Sequence, residues 1–327
     1  MNRTIDTMAR ILFICDPLHT FKVHGDTTYL LMVTAAQLNH EVFYCTPAEI
    51  YAQSQTAMAI THKIELLASN ADIPGSIMPW YKEENHTQAP CELNQFTAVL
   101  VRNDPPFNME YFYLTQILTL AEQTGANIVN NSTSIRNFNE KLSILNFPHL
   151  ITPTIVAKHK AALWDFLNTH GECVIKPLDL MAGRGIFKIS PFDVNCDAIM
   201  ENSTNYYTQT VMLQKFIPEV IHGDRRIFII DGIVVEHCLH RIPKKNQIRA
   251  NLAAGGHGEV HKLTAEDYKI ANEVAIWLKQ HHILFAGIDV IGQKLTEINI
   301  TSPTGARIIL QQTGLNIAQL ILDNIIK

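Results

Sequence analysis

Residues 285–305 read FAGIDVIGQKLTEINITSPTG, and three side chains in this stretch decide how the C-terminal half folds. Two short apolar runs flank Gly292-Gln293-Lys294 and carry Asp289, Glu297 and Asn299. Side chains alternate along a strand, so Glu297 and Asn299 share a face. Where Asp289 points depends on the turn. A two-residue loop, Gly292-Gln293, pairs Asp289 with Thr296 and turns its carboxylate away from Glu297. A three-residue loop that includes Lys294 pairs Asp289 with Glu297. We expect the three-residue loop, or a bulge of the same effect, with Ile288, Val290, Ile298 and Ile300 on the other side. Two carboxylates placed directly opposite repel each other, so the pair calls for a cation between them. Oxygen ligands with few carboxylates suit magnesium shared with phosphates. The competing reading is a surface hairpin whose acids are solvated.

Outward from the hairpin, the same half of the chain carries cations. Lys176 ends the apolar run Cys-Val-Ile-Lys, where a buried ammonium is costly unless it meets an anion. Lys141 falls on a predicted helix, 134–145. Arg226 begins a strand, Arg241 ends the next, and Arg249 lies in a polar, glycine-rich stretch, 242–261. Each alone reads as well as a surface charge. Together with the acidic hairpin they form the inventory for phosphoryl transfer from a nucleoside triphosphate, acids for the metal and cations for the phosphates it bridges. Other chemistries lack their signatures. The sequence has no GxxxxGK[ST], no GxGxxG between a strand and a helix, no GxSxG, and no HExxH among its 15 histidines. His281-His282 reads as a solvated helix end.

At 327 residues the chain is long enough for two or three domains, and 47% hydrophobic against 17% charged residues argues for real cores. The first half predicts a strand at 11–15, a helix at 26–38 capped by Asp26, and a strand at 41–45, the order of a parallel sheet. A strand at 98–102, a helix at 108–123 and a strand at 127–130 extend it; residues 50–95 are weakly patterned. Asp16 and Arg102 fall at carboxyl ends of strands, where ligands gather in open α/β sheets. Asp16 reads as a turn residue and Arg102 as functional. Composition changes near 131–140, which marks a boundary. Beyond it, strands are predicted at 154–157, 173–176, 186–189 and 211–216, and a hairpin at 226–240 turns on Asp231-Gly232. Helices are predicted at 160–169, at 263–280 capped by Thr264, and at 317–326. The net charge of −5 gives no reason to expect nucleic acid or an anionic membrane. No run approaches about 20 apolar residues, and the start lacks a signal-peptide pattern. Six scattered cysteines without CxxC spacing read as the reduced thiols of a cytoplasmic protein.

Read in order, VRNDPPF (101–107), NEKL (139–142), VIKPLD (174–179), QKFIP (214–218), HGDRRIFIIDG (222–232), RIP (241–243), RANLAAGGHGE (249–259), GIDVIG (287–292) and LTEINITSPTG (295–305) resemble the bacterial glutathione synthetases, a family of ATP-grasp ligases. The resemblance runs over nearly the whole chain and is weakest across 50–95. It implies an α/β protein: an N-terminal Rossmann-like substrate domain (1–138), then an ATP-grasp domain (139–327) made of a lid (139–213) and a larger antiparallel-sheet piece (214–327). The implied reaction is ATP-dependent ligation of γ-glutamylcysteine and glycine through an acyl phosphate, with another carboxylate–amine ligation as the alternative. Lys141 and Lys176 would contact ATP phosphates, with Lys176 also near the adenine; Gln214, Lys215, Phe216 and Ile217 would form the hinge along the adenine, and Asp224 would bind ribose. Arg226 and Arg241 would meet the γ-phosphate and the acyl phosphate. Arg102, Arg249 and Asn251 would hold substrate. Asp289, Glu297 and Asn299 would coordinate Mg2+, or Mn2+ in its place. A homodimer or tetramer is implied, with small-molecule partners only. Leu180 and Ala182 stand where the family commonly has glycine, and Asn103 where it often has lysine.

Overall fold

The computed structural model describes residues 8–67, 79–84, 90–244 and 257–326. Among these the strands form four sheets. The first runs Tyr81–Glu83, His62–Leu66, Glu41–Cys45, Arg10–Ile14, Ala98–Val101, Ile128–Val129. Its last four strands are parallel and its first two antiparallel. The parallel strands are near-continuous apolar runs because both of their faces are covered. Helix Thr27–Gln37 lies on one face, its first turn capped where Asp26 accepts from Tyr29 N at 2.8 Å. Helix Met109–Gln123 lies on the other, starting from Asn108. A small sheet, Ile50–Gln53, Thr56–Ala59 and Cys91–Glu92, fills part of the weakly patterned stretch.

An antiparallel sheet of order Thr154–Ala157, Val211–Lys215, Cys173–Pro177, Phe187–Ile189 forms the lid, with its own core around Leu163, Cys173, Met200 and Leu213. Strand Val211–Lys215 pairs along its whole length within this sheet. The last sheet is antiparallel, in the order His257–Lys262, Ile233–Ile242, Asp224–Ile230, Phe285–Ile291, Lys294–Asn299. Helix Ala265–Gln280 packs on one face through Ile270, Val274 and Leu278. The other face, with Phe228, Leu239 and Phe285, shares a core with the final helices Ala306–Thr313 and Ile317–Ile325 and with Leu31 and Met32 of the N-terminal sheet's helix. That shared core is what holds the first sheet against the acidic hairpin.

Two expectations change. The helix across 134–145 is interrupted: helix Ser132–Asn137 ends, and a 3-10 segment Leu142–Asn146 follows. Asn139 causes the break, because its Oδ1 accepts from the backbone N–H of both Lys141 and Leu142 and competes with the helical ladder. Lys141 therefore projects from a cap, not from a helix face. The end of the stretch read as patternless, 242–261, falls in strand His257–Lys262, which pairs with Ile233–Ile242. Helices Cys196–Ser203 and Ala306–Thr313 had no sequence expectation.

Candidate active site

Asp289 pairs with Glu297 across the hairpin. Of the two expected forms, a three-residue loop or a bulge, the turn takes the second. Ile291 pairs with Lys294 and Val290 with Leu295, so Gly292-Gln293 is a two-residue loop; a bulge then skips Thr296 and restores the face. The bulged Thr296 is buried and donates its hydroxyl to Asp289 O at 3.0 Å. Asn299 Nδ2 donates to Gly287 O at 3.1 Å and lies 3.3 Å from Asp289 Oδ2. The two carboxylates and the amide thus gather on one side of the hairpin, with Ile288 and Ile298 buried on the other.

The strand beside the hairpin supplies the first cation. Arg226 is the register partner of Asp289 and grips it through Nε at 2.6 Å and Nη2 at 2.8 Å. Room for that grip comes from Gly287, where an added Cβ would lie 2.7 Å from Arg226 Cδ and 2.9 Å from Pro303 Cβ. Arg241 reaches the same carboxylate through Nη2 at 2.9 Å, while its Nε and Nη2 hold Asp224 at 2.6 and 2.7 Å. Burial alone would push the Asp289 carboxyl up, but Arg226 and Arg241 together outweigh it and hold it well below the usual carboxylate range. Asp224 behaves oppositely: burial outweighs Arg241 and raises its carboxyl, with Asp289 adding to the effect. Asp224, expected as a ribose ligand, borders the cleft, and both of its oxygens are engaged by Arg241.

Lys141 Nζ stands 3.3 Å from Glu297 Oε1 and donates to Leu180 O at 2.5 Å. It joins the hairpin to the loop after strand Cys173–Pro177. Two further donors reach that loop: Asn139 Nδ2 to Leu178 O at 2.9 Å and Phe107 N to Asp179 O at 3.3 Å. Successive carbonyls 178, 179 and 180 are thus tied to the 139–141 segment and to the N-terminal domain. In the loop, Ala182 has φ +55° and Gly183 +73°. Glycine adopts such angles freely; alanine does so at a cost of roughly 1–2 kcal/mol.

A cleft of about 860 Å³, open mouth included, lies between the two antiparallel sheets. Lys141, Lys176, Asp224, Asp289 and Glu297 line its polar side, and Val174, Ile186, Phe216, Ile217 and Ile291 its apolar side. Gln214 and Lys215 line it as well, so all four residues expected along the adenine border the cleft. Burial presses the Lys176 ammonium down to about 8.

Arg102, expected to face substrate, is buried. Its guanidinium donates to Thr28 Oγ1 at 3.1 Å and to the carbonyls of Thr301 and Pro303 at 3.3 Å each. Asp16, read as a turn residue, accepts from Asp104 N at 3.0 Å. Arg249 and Asn251 lie outside the described residues. Two residues that the sequence reading passed over hold the end of the hairpin. Glu140 Oε1 accepts from Ile300 N, Thr301 N and Thr301 Oγ1 at 2.8, 3.0 and 2.8 Å. Asn130 Nδ2 donates to Phe285 O and Ile300 O at 2.7 Å each, and its Oδ1 accepts from Phe285 N at 2.9 Å. A carboxylate beside Lys141 in NEKL was the one available signal; nothing in the sequence marked Asn130.

Residues 9–136 match the model of the prokaryotic glutathione synthetase N-terminal domain, and residues 140–314 that of the prokaryotic glutathione synthetase ATP-grasp domain. The chain belongs to the prokaryotic glutathione synthetase family. It is 43% identical over 316 residues to the glutathione synthetase of Neisseria meningitidis serogroup B, covering 97% of this chain and 98% of that protein. It is 41% identical over 314 residues to that of Nitrosomonas europaea, covering 96% of each. Among solved structures, a D-cycloserine synthetase superposes with TM-score 0.66 at 13% identity over 96% of this chain and 99% of that one. A RimK domain ATP-grasp protein from Sphaerobacter thermophilus gives 0.61 at 15% identity over 98% and 100%. At these identities the structures establish the ATP-grasp fold and nothing finer. Among the described residues no helix is long and apolar enough to cross a membrane. All six cysteines are free thiols.

Proposed function

We propose that the chain catalyses ATP-dependent ligation of γ-glutamylcysteine to glycine. A carboxylate oxygen of the cysteinyl residue attacks the γ-phosphorus of ATP, and ADP leaves. The glycine nitrogen then attacks the acyl carbon, loses a proton, and inorganic phosphate departs as the amide forms. The observation that carries this reading is the convergence of Arg226, Arg241 and Lys141 on Asp289 and Glu297, two carboxylates that line the cleft. Charge develops on the transferring phosphoryl group and on the tetrahedral carbon, and fixed guanidinium groups there stabilise it without reorganisation. Asp289, Glu297 and Asn299 suit Mg2+, or Mn2+. Among the described residues no three His, Cys, Asp or Glu side chains form a metal cage, and two carboxylates with an amide leave positions for phosphate oxygens. When bound, that ion would supply charge neutralisation between phosphates. Lys176 and Gln214–Ile217 would take the nucleotide, Asp224 would hold Arg241 or the ribose, and Arg102, Arg249 and Asn251 are assigned to the substrate side. The division at 1–138 and 139–327, a homo-oligomer, small-molecule partners and a cytoplasmic setting that keeps the six thiols reduced complete the proposal.

The test is phosphate release from MgATP by the purified chain. Release should require both γ-glutamylcysteine and glycine and yield one amide per phosphate. Equal release with and without them would refute the reading, and preference for another amine or carboxylate in a substrate panel would replace it with a different ligation.

A further inference from the structure

Gln214 is 2% exposed, and its amide is held from both ends. Thr154 is its direct partner on one neighbouring strand and Val174 on the other, which puts Lys176 one diagonal step away on the same face. Lys176 Nζ donates to Gln214 Oε1 at 2.8 Å. Gln214 Nε2 donates to Thr154 Oγ1 at 3.0 Å, and Thr154 Oγ1 donates to Thr152 O at 2.8 Å. An ammonium has no lone pair, so the amide oxygen must face Lys176. The Thr154 hydrogen is committed to Thr152, so toward Gln214 this hydroxyl can only accept, and it requires the NH2 end. The two neighbours impose one orientation. Gln214 and Lys176 line the cleft; Thr154 does not.

The cleft therefore offers an acceptor, Gln214 Oε1, beside a donor, Lys176 Nζ. Adenine presents the complement along one edge, an exocyclic N6 donor next to the N7 acceptor; guanine presents two acceptors there, O6 and N7. Its O6 would meet Oε1 oxygen to oxygen. We infer that Thr154 sharpens the preference for adenine over guanine nucleotides by anchoring the NH2 end of the Gln214 amide, whose oxygen Lys176 draws toward itself. Thr154 is a positioning residue that acts through Gln214. The inference rests on the nucleotide occupying this cleft, as proposed above.

The experiment compares kcat/KM for ATP and GTP in the full ligation assay for the wild-type chain, Thr154→Val and Thr154→Ser. Valine keeps the shape and removes the acceptor; serine keeps the hydroxyl. The ATP-to-GTP ratio should fall about tenfold or more in Thr154→Val, roughly 1.4 kcal/mol, mostly through a raised KM for ATP with kcat retained. Thr154→Ser should keep the wild-type ratio. An unchanged ratio in an active Thr154→Val overturns the inference, and so does a lost preference in Thr154→Ser. Should Thr154→Val not fold, ADP and GDP affinities of Thr154→Ala by calorimetry carry the same comparison: a narrowed difference supports the lock, an unchanged one removes it. A wild-type chain that shows no turnover with ATP would instead strike down the reading of the cleft.

Discussion

Gly287 lets Arg226 lie flat against Asp289, so Gly287→Ala is a sharp perturbation of the centre that replaces no proposed ligand. The added methyl would stand 2.7 Å from Arg226 Cδ and 2.9 Å from Pro303 Cβ. Ordinary contact needs roughly 3.5–4.0 Å between carbons, so these atoms must separate by about an ångström. Pro303 has little freedom: Arg102 holds its carbonyl, and Glu140 and Arg102 hold Thr301 two residues earlier. The displacement therefore falls on the Arg226 side chain, whose bidentate bonds to Asp289 at 2.6 and 2.8 Å would open. Overpacking of this kind costs about 1–3 kcal/mol of stability. A misplacement of about 1 Å in a positioned group costs on the order of 100-fold in rate. We expect Gly287→Ala to fold, with Tm lowered by no more than about 10 °C, and kcat to fall about 100-fold. Steady-state kinetics with phosphate readout, alongside a thermal melt and circular dichroism, checks both. A folded Gly287→Ala with kcat within about threefold of wild type would refute the claim that Arg226 must hold this position.

Glu297→Gln removes one of the two carboxylates and the ion pair of a buried Lys141; Mn2+ affinity in the presence of ADP, read by electron paramagnetic resonance, should fall by more than about tenfold, and undiminished affinity would remove Glu297 from the ligand set. Lys176 is charged below about 8 and neutral above it, so KM for ATP should rise as pH passes from 7.5 to 9.5; a KM flat across that range would contradict its contact with the triphosphate. Ala182→Gly relieves the φ of +55° and offsets part of that gain through backbone entropy, so a net stabilisation of about 1 kcal/mol or less is expected as a raised Tm; a lowered Tm would show that the loop is not strained at Ala182.

Much of this arrangement could be read from the chain because the hairpin's chemistry and its alternation agree. The face was right for a reason the periodicity could not show. Gly292-Gln293 makes the short loop that would have turned Asp289 away, and Thr296 absorbs the extra residue because its hydroxyl can satisfy Asp289 O. Lys141 was placed on a helix because the apolar spacing of 134–145 continues through Asn139, whose side chain wins the local competition for backbone N–H groups. Strand His257–Lys262 is exposed along most of its length, so it carries no buried alternation to detect. Helix Ala306–Thr313 has no side-chain cap and starts from Gly305 at φ +110°. What could not be read were contacts between distant segments. Glu140 to Thr301, Asn130 to Phe285 and Arg102 to Pro303 span 161, 155 and 201 residues. Arg102 shows the consequence: its place at a strand end marked it as important, but only the fold shows it bridging Thr28 to the carbonyls of Thr301 and Pro303 just beyond the hairpin.

The central claim is that the carboxylate is activated as an acyl phosphate in this cleft, and oxygen transfer tests it most directly. γ-Glutamylcysteine labelled with 18O in the cysteinyl carboxylate should pass one labelled oxygen to inorganic phosphate in each ligation, seen by mass spectrometry or by the isotope shift of the 31P resonance. Phosphate free of 18O, with labelled oxygen retained in the peptide or lost to water, would contradict the account.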